Sequence, residues 1–323
     1  MWPRRSFLAG IAAPLLAGVR NSTAAAPGAK PAANARRCRV TAWLGDPPLV
    51  ASTIEAAIEG HAVRVAALRG PDTPLLLHLV MDLTGDPALI EPAKNALKEQ
   101  LAALPPTTWV SLLRAQDGLA VLADPAPSRE TLLSQLDALQ TTGRAALLET
   151  VAPASSLAER VLRRSPVRSA VLFLTDSNIY NYREDYTNPV INPSDSRDLS
   201  RRFPEALVRE KTAKLAAALN TASVPIFVQH LAWLRDRLNE AYQAGIQQIA
   251  ESTGGLAAFS RAPGDIVGDI GQMFAKINTH WAVDLEVPPA TRRTYTVQLS
   301  VAGREIQYRA KFTLAPREKE SKS

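Results

Sequence analysis

Asp82, Thr84 and Asp86 follow an almost wholly apolar stretch, LLLHLVM at 75–81, in which six of seven residues are apolar. No polar face alternates through that run, so it reads as a strand buried on both sides of a parallel sheet. In an open α/β sheet, ligands bind outside the carboxyl ends of the strands. A carboxylate–hydroxyl–carboxylate set at such an end is the chain's best candidate for chemistry. Asp176 closes a second apolar run, SAVLFLTD at 169–176, and the loop Gly143-Arg144-Ala145 enters a helix between the two. Enzymatic signatures are absent: the sequence has no G-x-S-x-G elbow, no H-E-x-x-H, no glycine loop that would cradle phosphate and no catalytic cysteine–histidine pair. His61, His78, His230 and His280 are far apart and lack metal-ligand spacing. The remaining enzymatic alternative is a hydrolase built from Asp82, His78 and a distant serine, but His78 lies mid-strand and reads as a hydrogen-bonded core histidine.

The elements that must position these residues alternate. After the 75–81 strand comes a helix at 87–103, with Ala93, Leu97, Leu101 and Leu104 at helical spacing and Pro105-Pro106 ending it. TWVSLLRA (108–115) is a strand, paired in a hairpin with 118–123 through Gln116-Asp117-Gly118. Ser128 is placed to cap a helix at 129–139, and a longer helix runs over 145–163. The strand at 169–176 leads into an irregular stretch, 177–198, that carries Tyr180, Tyr182 and Tyr186. A loop of that length inside a compact domain is a functional candidate. A helix at 204–222, a strand at 224–230, a helix at 235–253 ending at Gly254-Gly255, a short edge strand LAAFS and a helix at 264–279 complete the alternation.

The flanks differ. Residues 38–68 read as short strands, with 54–68 as two strands joined at Glu59-Gly60, and 281–314 as alternating antiparallel strands with one wet face. The two flanks are expected to form one accessory β unit. The basic cluster Arg36, Arg37 and Arg39 reads as a solvated strand end, and Trp109, Trp233 and Trp281 as core or edge packing. The fold class is therefore α/β, a doubly wound, mostly parallel sheet with a small accessory antiparallel unit.

The amino-terminal residues have the layout of an export signal: Arg4-Arg5, an apolar run of 13 residues (7–19), then small residues. RRSFLAG resembles a twin-arginine signal, which implies a periplasmic or secreted protein. The expected organisation is 1–26 signal, 27–37 leader, 38–72 amino-terminal β flank, 73–280 α/β domain, 281–315 carboxyl-terminal β flank and 316–323 a disordered tail. Removing a signal that contains Arg4, Arg5 and Arg20 lowers the formal charge of +6 by three. The remaining excess is too small and scattered to argue for nucleic acid. Cys38 is the only cysteine, so an exported chain has no internal disulfide and no cysteine zinc site. No transmembrane span is present in the sequence pattern.

The order of landmarks resembles the von Willebrand factor A domain: a buried strand ending in Asp82-Leu83-Thr84-Gly85-Asp86, the loop Gly143-Arg144-Ala145-Ala146-Leu147, and Leu172-Phe173-Leu174-Thr175-Asp176. The flanks, IEAAIEGHAVRVAAL and IAESTGGLAAFS, are similar to those of exported bacterial VWFA-related (acidobacterial-type) proteins. The resemblance implies an exported, non-catalytic protein-binding module, for adhesion or scaffolding, working through the face at the carboxyl ends of the strands. A structural part in envelope assembly is the alternative beside the hydrolase. It also implies a degenerate metal-ion-dependent adhesion site in which Asp82, Thr84, Asp86 and Asp176 offer oxygens to Mg2+ or Mn2+. Two departures leave alternatives open. The family's threonine falls on Ala145, which has no hydroxyl, and Arg144 introduces a guanidinium able to replace the metal by pairing with Asp82, Asp86 or Asp176. Asp86 serves equally as a helix cap. Arg144, Tyr180, Tyr182 and Tyr186 are the residues expected to meet a partner protein, packing of the loop on its own domain being the alternative for the tyrosines.

Overall fold

The computed structural model describes residues 36–44, 49–182, 204–289, 291–302, 304 and 306–314. The export signal, residues 27–35 of the leader, the tail at 316–323 and Tyr186 lie outside the described residues. In chain order, the strands before the core are β1 (Arg36–Trp43), β2 (Ile54–Ile58), β3 (His61–Ala62) and β4 (Val65–Arg69). The alternating region holds β5 (Leu75–Asp82), α1 (Pro87–Ala103), β6 (Thr108–Arg114), β7 (Ala120–Ala126), α2 (Glu130–Asp137) and α3 (Leu147–Arg164). It continues with β8 (Arg168–Thr175), α4 (Pro204–Leu219), β9 (Ile226–His230), α5 (Arg237–Thr253), β10 (Ala257–Phe259) and α6 (Ile266–Thr279). The last strands are β11 (Trp281–Val287), β12 (Thr294–Val301), β13 (Gln307–Tyr308) and β14 (Lys311–Thr313).

The central sheet has the order β10-β9-β8-β5-β6-β7, parallel throughout except for β7, which pairs antiparallel at one edge. Every residue of β5 and β8 is buried, which is what an apolar run without alternation produces when both faces are covered. In β5, Leu75, Leu77, Leu79 and Met81 face α1, α2 and α6, packing with Ile90, Leu97, Leu136 and Phe274. Val80 faces the other layer, formed by α3, α4 and α5, with Val151, Val208 and Ile246. This doubly wound arrangement is the one the resemblance implies. It places the carboxyl ends of β5, β8 and β9 side by side, since Asp82 lies opposite Thr175 and Thr175 opposite His230.

The flanks make two four-stranded sheets, β13-β1-β11-β4 and β14-β12-β2-β3, which share one core of Val40, Ile58, Val283, Leu285, Val297 and Phe312 among others. The sequence reading of 54–68 as two strands is corrected to three. β2 turns tightly into β3 at Glu59 and Gly60, both at positive φ (51° and 79°), and β4 then crosses to the other sheet beside β11. The leader expectation also shifts, because β1 already includes Arg36 and Arg37.

Arg39 is not a solvated strand end. Its Nε and Nη2 donate to the two oxygens of Asp284 at 2.6 and 2.9 Å, and Arg69 donates to Asp284 Oδ2 at 2.6 Å. Arg39 Nη1 also donates to the Val167 carbonyl at 2.8 Å, which fastens the accessory unit to the entry of β8. Arg168 clamps the same seam through the carbonyls of Pro71, Thr73, Asn278 and His280. The expected Ser128 cap is likewise corrected: Arg129 occupies the position before α2, with no side-chain cap bond, and uses its guanidinium on the carbonyls of Leu101, Thr108 and Ala126.

Candidate functional site

β5 delivers Asp82 to the carboxyl rim, and the chain then turns through Gly85 (φ 116°) into α1. Asp86 caps that helix, accepting from the Ala88 amide at 3.0 Å. β8 delivers Thr175, Asp176 and Ser177 to the neighbouring position on the same rim. The loop before α3 reaches the rim as well, because the Ala146 amide donates to Asp82 Oδ1 at 2.9 Å. Asp82, Thr84, Asp86, Asp176 and the Arg144 loop therefore come together at one edge of the sheet.

Asp82 is fully buried. Its second oxygen accepts from the Thr175 and Ser177 hydroxyls at 3.0 and 3.1 Å. Ser177 Oγ touches Tyr242 OH at 3.1 Å, and Tyr242 OH touches Tyr182 OH at 2.7 Å. Among the described residues, no lysine or arginine side chain neutralises Asp82 within this knot. Burial pushes its pKa up to about 6, against the opposing pull of the Ala146, Thr175 and Ser177 hydrogen bonds. Asp176 holds the other strand-to-helix turn: its Oδ1 accepts from the Thr84 amide at 2.6 Å and the Thr84 hydroxyl at 3.0 Å, and its Oδ2 from the Asp86 amide at 3.3 Å. His230 stands behind Ser177. Its Nε2–H donates to the Ser177 carbonyl at 2.7 Å while Nδ1 accepts from the Ala232 amide at 3.1 Å, and burial lowers its pKa.

These bonds bear directly on the metal the resemblance implies. A hard divalent ion needs several oxygens with free lone pairs pointing at one centre. Here Asp82 is fully buried with both oxygens accepting internal donors, both oxygens of Asp176 accept from Thr84 and Asp86, Asp86 turns its own carboxylate to the Ala88 amide, and Ala145, which has no hydroxyl, stands at the family's threonine position. Among the described residues, no group of three or more His, Cys, Asp or Glu side chains is placed to hold a metal ion. The residues present do not fit the cation. Accordingly, the thermal midpoint is expected to stay the same in excess MgCl2, MnCl2 and chelator. A rise with either metal that chelator reverses would show a bound ion, since a ligand that binds only the folded state raises the midpoint.

The Arg144 ion pair with these carboxylates does not form either. Arg144 is exposed, and its ordered contacts are through its backbone, to Asp117. Asp82 is sealed, and Asp176 turns its oxygens to the Thr84 and Asp86 amides and the Thr84 hydroxyl. Tyr182, expected at a binding surface, is instead 7% exposed and packed edge-on against Tyr242 at 5.4 Å between centroids. Tyr180 is 61% exposed, its hydroxyl donating to Asp236 at 3.1 Å. Trp233, expected to be packing, is 43% exposed in the loop after β9 and touches Phe259 edge-on. The triad alternative is not assembled. His78 Nδ1 contacts Ser111 Oγ at 2.7 Å, both deep in the sheet. Asp82 lies four residues further along the same strand, about 13 Å away at the usual rise.

The sequence reading missed Thr175, Ser177, His230, Tyr242 and Asp117. Thr175 and Ser177 flank Asp176 and were visible as hydroxyls at a strand end. Tyr242 reaches the site from the middle of α5 and carries no local signal.

No protein-family model matches the chain, and no curated protein matches it. Similar solved structures exist at low identity. A von Willebrand factor type A protein from Catenulispora acidiphila is 11% identical, covering 87% of this chain and 73% of that one, with a TM-score of 0.44. The vWF domain of the type V pili tip protein Mfa5 from Porphyromonas gingivalis is 12% identical, covering 64% and 95%, with a TM-score of 0.41. Proximal thread matrix protein 1 from the mussel byssus, with a zinc-occupied MIDAS motif, is 14% identical, covering 67% and 48%, with a TM-score of 0.41.

Proposed function

We propose that the chain is an exported, non-catalytic protein-binding module acting in adhesion or scaffolding outside the cytoplasm. Binding takes place on the carboxyl rim of the central sheet and needs neither Mg2+ nor Mn2+. The observation that carries this reading is the exposure of Tyr180 and Trp233 on neighbouring rim loops, above a hydrogen-bonded base. Large aromatic side chains with few rotors supply contact area at low entropic cost. Tyr180 and Trp233 both lie on loops that leave the adjacent parallel strands β8 and β9 at the same edge of the sheet. The Arg4-Arg5 signal supports export, and among the described residues no helix is long and apolar enough to cross a membrane.

The test places a photo-cross-linking amino acid at position 180 and exposes the protein to a cell-envelope extract. A discrete adduct that disappears in Trp233→Ala, with the unfolding midpoint unchanged, is the expected result. Adducts that are absent, or identical with and without Trp233, would defeat the proposal.

A further inference from the structure

Two cationic side chains pack on the α1/α2 side of the central sheet without a carboxylate. Lys94, on α1, is 9% exposed, and its Nζ donates only to the Leu139 carbonyl, at 3.4 Å. Arg114, the last residue of β6, is half-buried and makes no hydrogen bond or ion pair among the described residues. Its Nε is sealed from water with no acceptor. Burying a charge unpaired is costly. The carboxylates at the ends of the surrounding elements are engaged elsewhere: Asp86 with the Ala88 amide, Asp117 with the Arg144 amide and Asp137 with Lys98.

One segment gathers these groups. Val110, Leu112, Arg114 and Gln116 alternate onto one face of β6 and its continuation, the face that packs with Leu83 and Leu139. Gln116 is 2% exposed, its Nε2 donates to the Leu83 carbonyl, and its Oε1 is buried with no donor. The chain after α2 then crosses this face. Leu139 lies at Lys94. A Cβ on Gly85 would lie 3.3 Å from the Thr141 carbonyl, and one on Gly143 would lie 3.0 Å from Gln116 Cβ. Residues 139–143 are thus a strap that runs from Lys94 to Gln116, with Arg114 two residues before Gln116 on the same face.

The chemistry of the three side chains selects a ligand. Lysine and arginine together suit an oxyanion. The unpaired Gln116 Oε1 can only accept, so the ligand must also donate. Carboxylate, sulfate and chloride have no proton to give at neutral pH, whereas hydrogen phosphate carries anionic oxygens and one P–OH. The burial of Lys94 and Gln116 favours the free ion over a phosphate attached to a larger molecule.

We infer that Lys94, Arg114 and Gln116 form a binding site for hydrogen phosphate, a site that does not rest on the protein-binding reading above. The anionic oxygens meet the Lys94 ammonium and the Arg114 guanidinium, and the P–OH donates to Gln116 Oε1. A bound ion fastens the strap to α1 and β6, and the strap leads into the Ala146 amide that holds Asp82. Calorimetric titration of the full chain, in phosphate-free buffer at fixed ionic strength, is the test. Potassium phosphate is expected to bind one ion per chain, about tenfold more tightly than potassium sulfate or glycerol phosphate. Gln116→Met should bring phosphate down to the sulfate level. Lys94→Met and Arg114→Met should abolish binding. Lys94→Met should also resist urea at least as well as the wild type in phosphate-free buffer, because an apolar chain removes the desolvation cost of an unpaired charge, which separates a lost ligand from a lost fold. A general salt effect would not saturate and would be shared by sulfate. The absence of saturable phosphate binding, equal affinity for sulfate, or binding retained in either methionine variant of the cations would overturn the site. Glycerol phosphate binding as tightly as the free ion would overturn the choice of ligand.

Discussion

Acidification from about pH 7 to about pH 4 is expected to weaken the fold by about 4 kcal/mol, a large part of the stability of an ordinary domain. The cause is imidazoles buried in the neutral form. Burial lowers His78 to about 4, and burial together with the Arg168 and Arg39 charges lowers His280 to about 3. A histidine whose folded pKa lies below its unfolded value near 6.5 contributes stability that is complete above that unfolded value. That stability is lost as the pH falls toward the folded value. By pH 4, each of these two residues removes on the order of 3 kcal/mol. Asp82 works in the opposite sense, because its folded pKa of about 6 is raised. Its destabilising ionisation is fully present above pH 6 and is relieved on acidification, returning about 2 kcal/mol by pH 4. His230, also lowered by burial, adds to the loss.

Urea midpoints measured at both pH values, for the wild type and for His280→Asn, decide the matter. His280 Nδ1–H donates to the Ile277 carbonyl at 2.5 Å, and an asparagine amide can reach the same acceptor without taking up a proton. The variant should keep about 3 kcal/mol that the wild type loses in acid. A wild-type stability that is flat between the two pH values would show that these rings are solvated or already charged in the native state.

Much of the architecture was legible because it is written locally. The runs at 75–81 and 169–176 have no polar alternation, and only strands covered on both faces tolerate that. Asp82 and Asp176 were legible for the same reason: each ends such a run, and parallel strands carry their ends to one edge. Long-range pairing left no comparable trace. Nothing near Arg39 in the sequence announces Asp284, 245 positions away, and an arginine beside a terminus looks solvated until its partner is known. Tyr182 and Trp233 were exchanged in role because an aromatic residue in a loop carries no sign of the side it faces. Tyr182 turns inward to reach Tyr242, and Trp233 finds only the edge of Phe259. The likeness to a metal site was likewise a matter of spacing. How the carboxylate oxygens are oriented and engaged depended on the amides of Thr84, Asp86 and Ala146, which any residue type supplies.

Asp82→Ala and Asp82→Asn are expected to differ sharply, although both remove the charge. Alanine leaves the Ala146 amide and the Thr175 and Ser177 hydroxyls without their acceptor in a site closed to water. Unsatisfied buried donors cost about 1–3 kcal/mol each, so a loss of about 4 kcal/mol and about 10 °C in the thermal midpoint is expected. Asparagine keeps one carbonyl oxygen for Ala146 and turns an amide toward the hydroxyls. The hydroxyl protons can then reverse along Thr175, Ser177, Tyr242 and Tyr182, whose oxygens already lie 2.6 to 3.1 Å apart in sequence. Asparagine also escapes the cost of ionising a buried group. At neutral pH, Asp82→Asn should therefore lie within about 1 kcal/mol of the wild type, and the acid-side gain attributed to Asp82 should vanish. If asparagine were as damaging as alanine, the carboxylate charge itself would be required, and a cation held against it would have to be sought.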